Sequence, residues 1–174
     1  RIIGFILFFL LLILGMGDLA TFIDISAACL IFVGTLGIVL VGGGDIAKMF
    51  GTVFSSAATP DDLRTGSSGW QLARRAGLIT GAAAAIAGLI IMLKGLDDPA
   101  AIGPGMALAL LGIFYAMVLG YGICLPLQVR LADRAGESID NTLTTEATLV
   151  FLFAFVLSVG LFAVLMASFS GAPS

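Results

Sequence analysis

The sequence has 174 residues, 60% of them hydrophobic and 11% charged, with a formal net charge of −3; soluble domains carry about 25% charged residues. So few charges cannot clothe a water-soluble domain of this length, and a mean hydropathy of +1.17 points to a membrane protein. The acidic balance offers no surface for nucleic acid, two cysteines in apolar runs make no disulfide framework, and the lack of histidine removes histidine metal sites, proton shuttles and Ser–His–Asp chemistry.

Five uncharged stretches, 2–17, 25–44, 76–93, 102–128 and 147–170, follow in chain order. A hydrocarbon core of ~30 Å takes about 20 helical residues, so each is read as a span of an all-α, polytopic membrane bundle forming a single membrane domain over 1–174. The first, opened by Arg1, also resembles the apolar region of a signal peptide, although Gly15–Met16–Gly17–Asp18 is a poor cleavage site. Lys48, Arg64, Arg74 and Arg75 separate the second and third spans, and Arg130 and Arg134 the fourth and fifth. With Arg1, seven of the eight basic residues therefore fall on one side. By the positive-inside rule that side is the cytoplasm, with the N-terminus inside and the C-terminus outside.

The cytoplasmic segment 45–75 is expected to begin as a continuation of the second helix over Asp45–Ser56. Thr59–Pro60–Asp61–Asp62 reads as a turn and N-cap, and Thr65–Gly66–Ser67–Ser68–Gly69 as a loop. Trp70, with Arg74 and Arg75, reads as an interfacial anchor. Small residues then dominate: Gly77, Gly81, Ala84, Ala85 and Gly88 in the third span, and Gly105, Ala109, Gly112, Ala116 and Gly120 in the fourth, mostly at four-residue spacing. In lipid, helices are held together by such close-packing faces, so both spans are expected to be buried in protein. The first and last spans carry large phenylalanines, including Phe5, Phe8, Phe151 and Phe162, and are expected to face outward. Pro104 is expected to open the fourth span, where its missing N–H is harmless, and Pro126 to mark its other end.

An ion crossing hydrocarbon needs a polar or ionisable group at depth. Thr35, Tyr115, Tyr121 and Ser158 are the main polar side chains within the spans, and no ionisable group lies near a span centre. Thr35 and Tyr115 fit either interhelical hydrogen bonding or a conducting role. Asp24 fits either a helix cap or an ion-entry site. Cys29 and Cys124 read as small apolar residues.

The run from Gly81 to Leu131 contains Gly88–Leu89–Ile90, Met92–Leu93, Leu96–Asp97–Asp98–Pro99, Ile102–Gly103–Pro104–Gly105–Met106–Ala107, Ala109–Leu110–Leu111, Tyr115 and Leu125–Pro126. Upstream stand Phe22–Ile23–Asp24–Ile25–Ser26 and Val33–Gly34–Thr35–Leu36. This ordered combination, covering about half of the chain, resembles the proton-channel family of the flagellar stator A subunits (MotA, PomA) and, more distantly, TolQ and ExbB. The resemblance implies a bacterial inner-membrane subunit with a cytoplasmic N-terminus. It further implies a homopentameric ring around a B-type single-span partner whose membrane aspartate carries protons or sodium ions, with no cofactor, no metal site and no enzymatic activity. Thr35, Ala85, Gly88, Ala109, Gly112, Tyr115 and Pro126 become the ion-pathway or partner-facing candidates, with Asp24 at the ion entry.

The departures from the pattern are specific. The loop between the second and third spans is about thirty residues instead of a rotor-engaging domain, Leu78 replaces a proline, and a fifth hydrophobic span follows. The family's polar threonines on the third and fourth helices align with Ala85, Gly112 and Ile113. These losses support an alternative, a non-conducting scaffold that keeps the ring architecture without the polar ion pathway. A small transporter subunit is a weaker reading, because neither a broken helix nor a mid-membrane charge pair marks a substrate site.

Overall fold

A computed structural model of the chain describes residues 22–95 and 98–137, together with positions 6, 10, 152, 156 and 160. The predicted first and fifth spans therefore lie, but for those single positions, outside the described residues, as do Arg1, Asp18, Asp97 and Ser158. The described residues are all-α, without a strand.

Helix α1 spans Ile25–Val41, and the Asp24 carboxylate caps it by accepting the Ala27 N–H at 2.8 Å. Ala27, Ile31, Thr35 and Val39 form its single buried stripe, at the four-residue spacing that keeps side chains on one helical face. Its other faces present Phe32, Val33, Leu36 and Leu40, apolar side chains suited to lipid.

The helix was expected to continue through residue 56, and it does not. The Gly44 N–H reaches back to the Val39 carbonyl at 2.8 Å, the Gly43 N–H to that of Leu40 at 3.1 Å, and Gly43 adopts φ +77°. This is a Schellman closure, and the left-handed residue it requires is one that glycine supplies without steric cost. The chain turns by 105° into α2, Ile46–Phe54, capped by Asp45.

Helix α3 runs for 35 residues, Pro60–Lys94. It opens with the expected N-cap: Thr59 and Asp62 form a reciprocal capping box, and Pro60 occupies the first turn. The loop expected at residues 65–69 is instead helix. Its glycines are there because α2 crosses at that point: a methyl on Gly66 would fall 2.3 Å from Thr52 Oγ1, and one on Gly69 would fall 2.4 Å from Met49 Cγ. At 1.5 Å per residue α3 is about 50 Å long, well beyond the ~30 Å hydrocarbon core, so one end must project from it.

Helix α4, Pro99–Met117, is capped by Asp98, so Pro99 opens it and Pro104 lies inside it. Pro126 does not end the span either. Between α4 and α5 (Leu125–Arg134) the helix widens into a π-helical turn, Val118–Cys124, in which the Leu125 N–H bonds to the Gly120 carbonyl. The widened turn sits where proline would otherwise clash with the preceding turn and leave a carbonyl unpaired, and the helix continues as Ile102–Arg134. Among the described residues two helices, Pro60–Lys94 and Ile102–Arg134, are long and apolar enough to cross a membrane, or three if the bent α1–α2 pair is one span.

Candidate functional site

Helices α3 and α4 form an antiparallel hairpin whose backbones touch through small residues. A methyl on Gly88 would fall 2.5 Å from both the Ala109 nitrogen and the Gly105 oxygen; one on Gly105 would fall 2.7 Å from the Met92 nitrogen. One turn along, a methyl on Gly112 would meet the Ala84 Cβ at 2.6 Å, and one on Gly81 the Ala116 Cβ at 2.4 Å. Such approach is open only to residues lacking a side chain, and it is what binds helices where lipid is as apolar as the side chains themselves.

Of the sequence-derived candidates, the structure brings Ala85, Gly88, Ala109 and Gly112 together, all buried, along this hairpin. Ala85 and Ala109 share an apolar cluster with Met92, Ile102 and Ile113. The described positions that align with the family's polar lining are thus packed against apolar neighbours.

Thr35 lies elsewhere, at the α1–α3 contact. It is 5% exposed, its Oγ1 has no hydrogen-bond partner among the described residues, and it sits 3.6 Å from where a Gly77 Cβ would be. The neighbouring Gly34 is equally confined, since its own methyl would fall 2.6 Å from Thr80 Cγ2. The Thr80 hydroxyl donates to the Ala76 carbonyl at 2.8 Å, the usual way a threonine satisfies itself within an apolar helix.

Asp24 and Tyr115, proposed separately on sequence, meet. The Tyr115 hydroxyl donates to the Phe22 carbonyl and accepts the Asp24 N–H, the latter at 2.9 Å. Phe114 packs beside it on Phe22, with ring centroids 5.6 Å apart. The Asp24 carboxylate caps α1 while its backbone is tied to α4, so this pair anchors the start of α1 to the hairpin. Pro126 stands apart from the other candidates, just past the π-helical turn.

Sequence reading missed the polar contacts at the opposite end. Trp70 and Arg74, expected in the headgroup region, are 4% and 0% exposed. The Trp70 Nε1–H donates to the Met49 carbonyl at 3.1 Å, while the Arg74 stem lies against Gly120. The Ser67 hydroxyl donates to the Gln128 carbonyl at 3.3 Å, and Arg134 donates to the Thr52 and Ser55 carbonyls at 3.3 and 2.9 Å. Arg64 pairs with Glu137 at 2.9 Å. Residues 45–75 and 128–137 therefore converge at one end of the bundle. Only the spacing of Gly66, Gly69 and Gly120 hinted at these crossings.

No family model matches the chain. Over 110 residues, 62% of its length, it is 32% identical to motility protein A of Aquifex aeolicus, covering 43% of that protein. Over 56 residues it is 39% identical to chemotaxis protein PomA of Vibrio alginolyticus, with 32% of this chain and 22% of PomA aligned. A third match, 37% over 54 residues, is YtxD of Bacillus subtilis, with 31% of this chain and 20% of YtxD aligned. Each match spans less than half of the relative's own length. Over part of its length, therefore, the chain is similar to motility protein A and PomA.

Proposed function

We propose that the chain is the A-type subunit of an ion-driven motor or energy-transducing complex in a bacterial inner membrane. In this reading five copies surround a single-span B-type partner whose membrane aspartate carries a proton or sodium ion. The N-terminus is cytoplasmic and the C-terminus periplasmic. The observation that carries the reading is the similarity to motility protein A and PomA. The α3–α4 hairpin supports it physically, because the close approach of Gly81, Gly88, Gly105 and Gly112 to the facing helix makes a stiff two-helix unit that can move as one body. The ion-bearing group belongs to the partner, and in this reading Thr35, Ala85, Gly88, Ala109, Gly112, Tyr115 and Pro126 are the ion-pathway or partner-facing residues, with Asp24 at the ion entry.

A second reading is favoured by one specific observation: Ala85, Gly112 and Ile113 are buried in apolar contacts, without a hydroxyl to line a pathway. A ring built that way serves as a non-conducting scaffold. Co-purification followed by flux separates the two. The motor reading expects a co-purifying single-span protein with a membrane aspartate, and proteoliposomes of the complex that acidify, or take up sodium, under an imposed potential. Substituting that aspartate by asparagine abolishes the flux. A stable complex with unchanged internal pH and sodium establishes the scaffold instead.

A further inference from the structure

We propose that α2 is an in-plane membrane-surface helix, with the Phe50–Phe54 edge seated in the bilayer at the boundary of headgroups and acyl chains. The 105° turn after Val41 sets α2 nearly perpendicular to α1, so a spanning α1 leaves α2 roughly parallel to the membrane plane. Three edges of α2 then have distinct surroundings. Met49 and Thr52 are buried on Gly69 and Gly66 of α3. Phe50 and Phe54, four residues apart on one edge, remain 50% and 84% exposed. Lys48 and Ser55 occupy the far edge, by the 100° step of a helix.

Helix α3 tells which edge faces the bilayer. It enters its apolar, charge-free stretch after Arg75, so Trp70 lies on the membrane side of the α2 crossing and Asp62 on the aqueous side. Phe50 packs edge-on against Trp70, with centroids 5.1 Å apart. Lys48, Ser55 and Asp45 instead line a cleft with Asp62. The phenylalanine edge therefore points toward hydrocarbon and the lysine edge toward water. It also continues the apolar outer surface of α1, whose last residues Leu40 and Val41 are 61% and 91% exposed. A helix so divided rests about 5–10 Å into the interface, its apolar edge buried and its cation among headgroups. The occupant is lipid.

The test uses the full chain in lipid nanodiscs. Cys29→Ala removes the exposed thiol, and the buried Cys124 is left in place. Nitroxide labels at Phe54→Cys and, separately, Lys48→Cys are assayed for collision with oxygen, which partitions into lipid, and with a water-soluble nickel chelate. The expected result is an oxygen-to-nickel ratio several-fold higher at position 54 than at position 48. Equal ratios at the two positions would place the phenylalanine edge in water and overturn the proposal. Protection of position 54 from both reagents would overturn it in favour of a second copy or another protein covering that edge.

Discussion

At the scale of single residues, glycine positions divide sharply by what surrounds them. Gly88 lies against backbone, which cannot give way as a side chain can, whereas nothing lies within 4 Å of where a Gly37 Cβ would be. Gly88→Ala is therefore expected to cost about 1–3 kcal/mol through overpacking. Gly37→Ala is expected to be neutral or to stabilise by up to about 1 kcal/mol, from the lower entropy of the unfolded chain. Denaturant titration of both variants in micelles checks the contrast, and equal destabilisation would contradict the hairpin packing. Tyr115→Phe removes one donor and one acceptor that fasten residues 22–24 to α4. The expected loss is ~1 kcal/mol, seen as faster hydrogen exchange over residues 22–27 with little change in α3. Tyr115 could be picked out from sequence as a polar group in an apolar run. Its partnership with Asp24 could not, since the two are separated by 91 residues and only the packing of α1 on α4 joins them.

At the scale of elements, the capping box of α3 makes a pH-dependent prediction. Hydrogen bonds from the Thr59 hydroxyl and backbone hold the Asp62 carboxyl below its ordinary value of 3.8. A lowered folded value means the carboxylate stabilises the helix start fully above the ordinary value and loses that contribution as pH falls through the folded one. Amide exchange in the first turn of α3 is expected to accelerate at that acid edge, and Thr59→Ala is expected to abolish the pH step. The same helix shows where local reading failed. Thr59–Pro60–Asp61–Asp62 was legible as a start because capping is a property of adjacent residues. The Thr65–Gly69 stretch has the composition of a loop, yet its glycines and Ser67 serve contacts with α2 and α5, partners distant in sequence. Gly42–Gly43–Gly44 held the opposite error: a helix stop written locally, passed over because the hydrophobic pattern resumed after it.

At the scale of the whole molecule, small residues hold α3 and α4 together as a hairpin. Gly112→Leu drives a bulky side chain into Ala84 and is expected to splay α3 from α4. Hydrogen exchange over residues 81–92 and 105–116 reports the separation, and unchanged protection in the Gly112→Leu variant would refute the close approach. The membrane class, the all-α architecture and the small-residue faces of two helices were determined by the sequence alone, because composition and periodicity express the cost of burying charge and backbone in lipid. The tertiary structure decided that those two faces meet each other within the chain, that Trp70 and Arg74 are enclosed, and that α2 turns aside from α1. Each of these depends on which surfaces approach at long range, and a helix face that suits a neighbouring helix of the same chain has the same composition as one that suits another polypeptide.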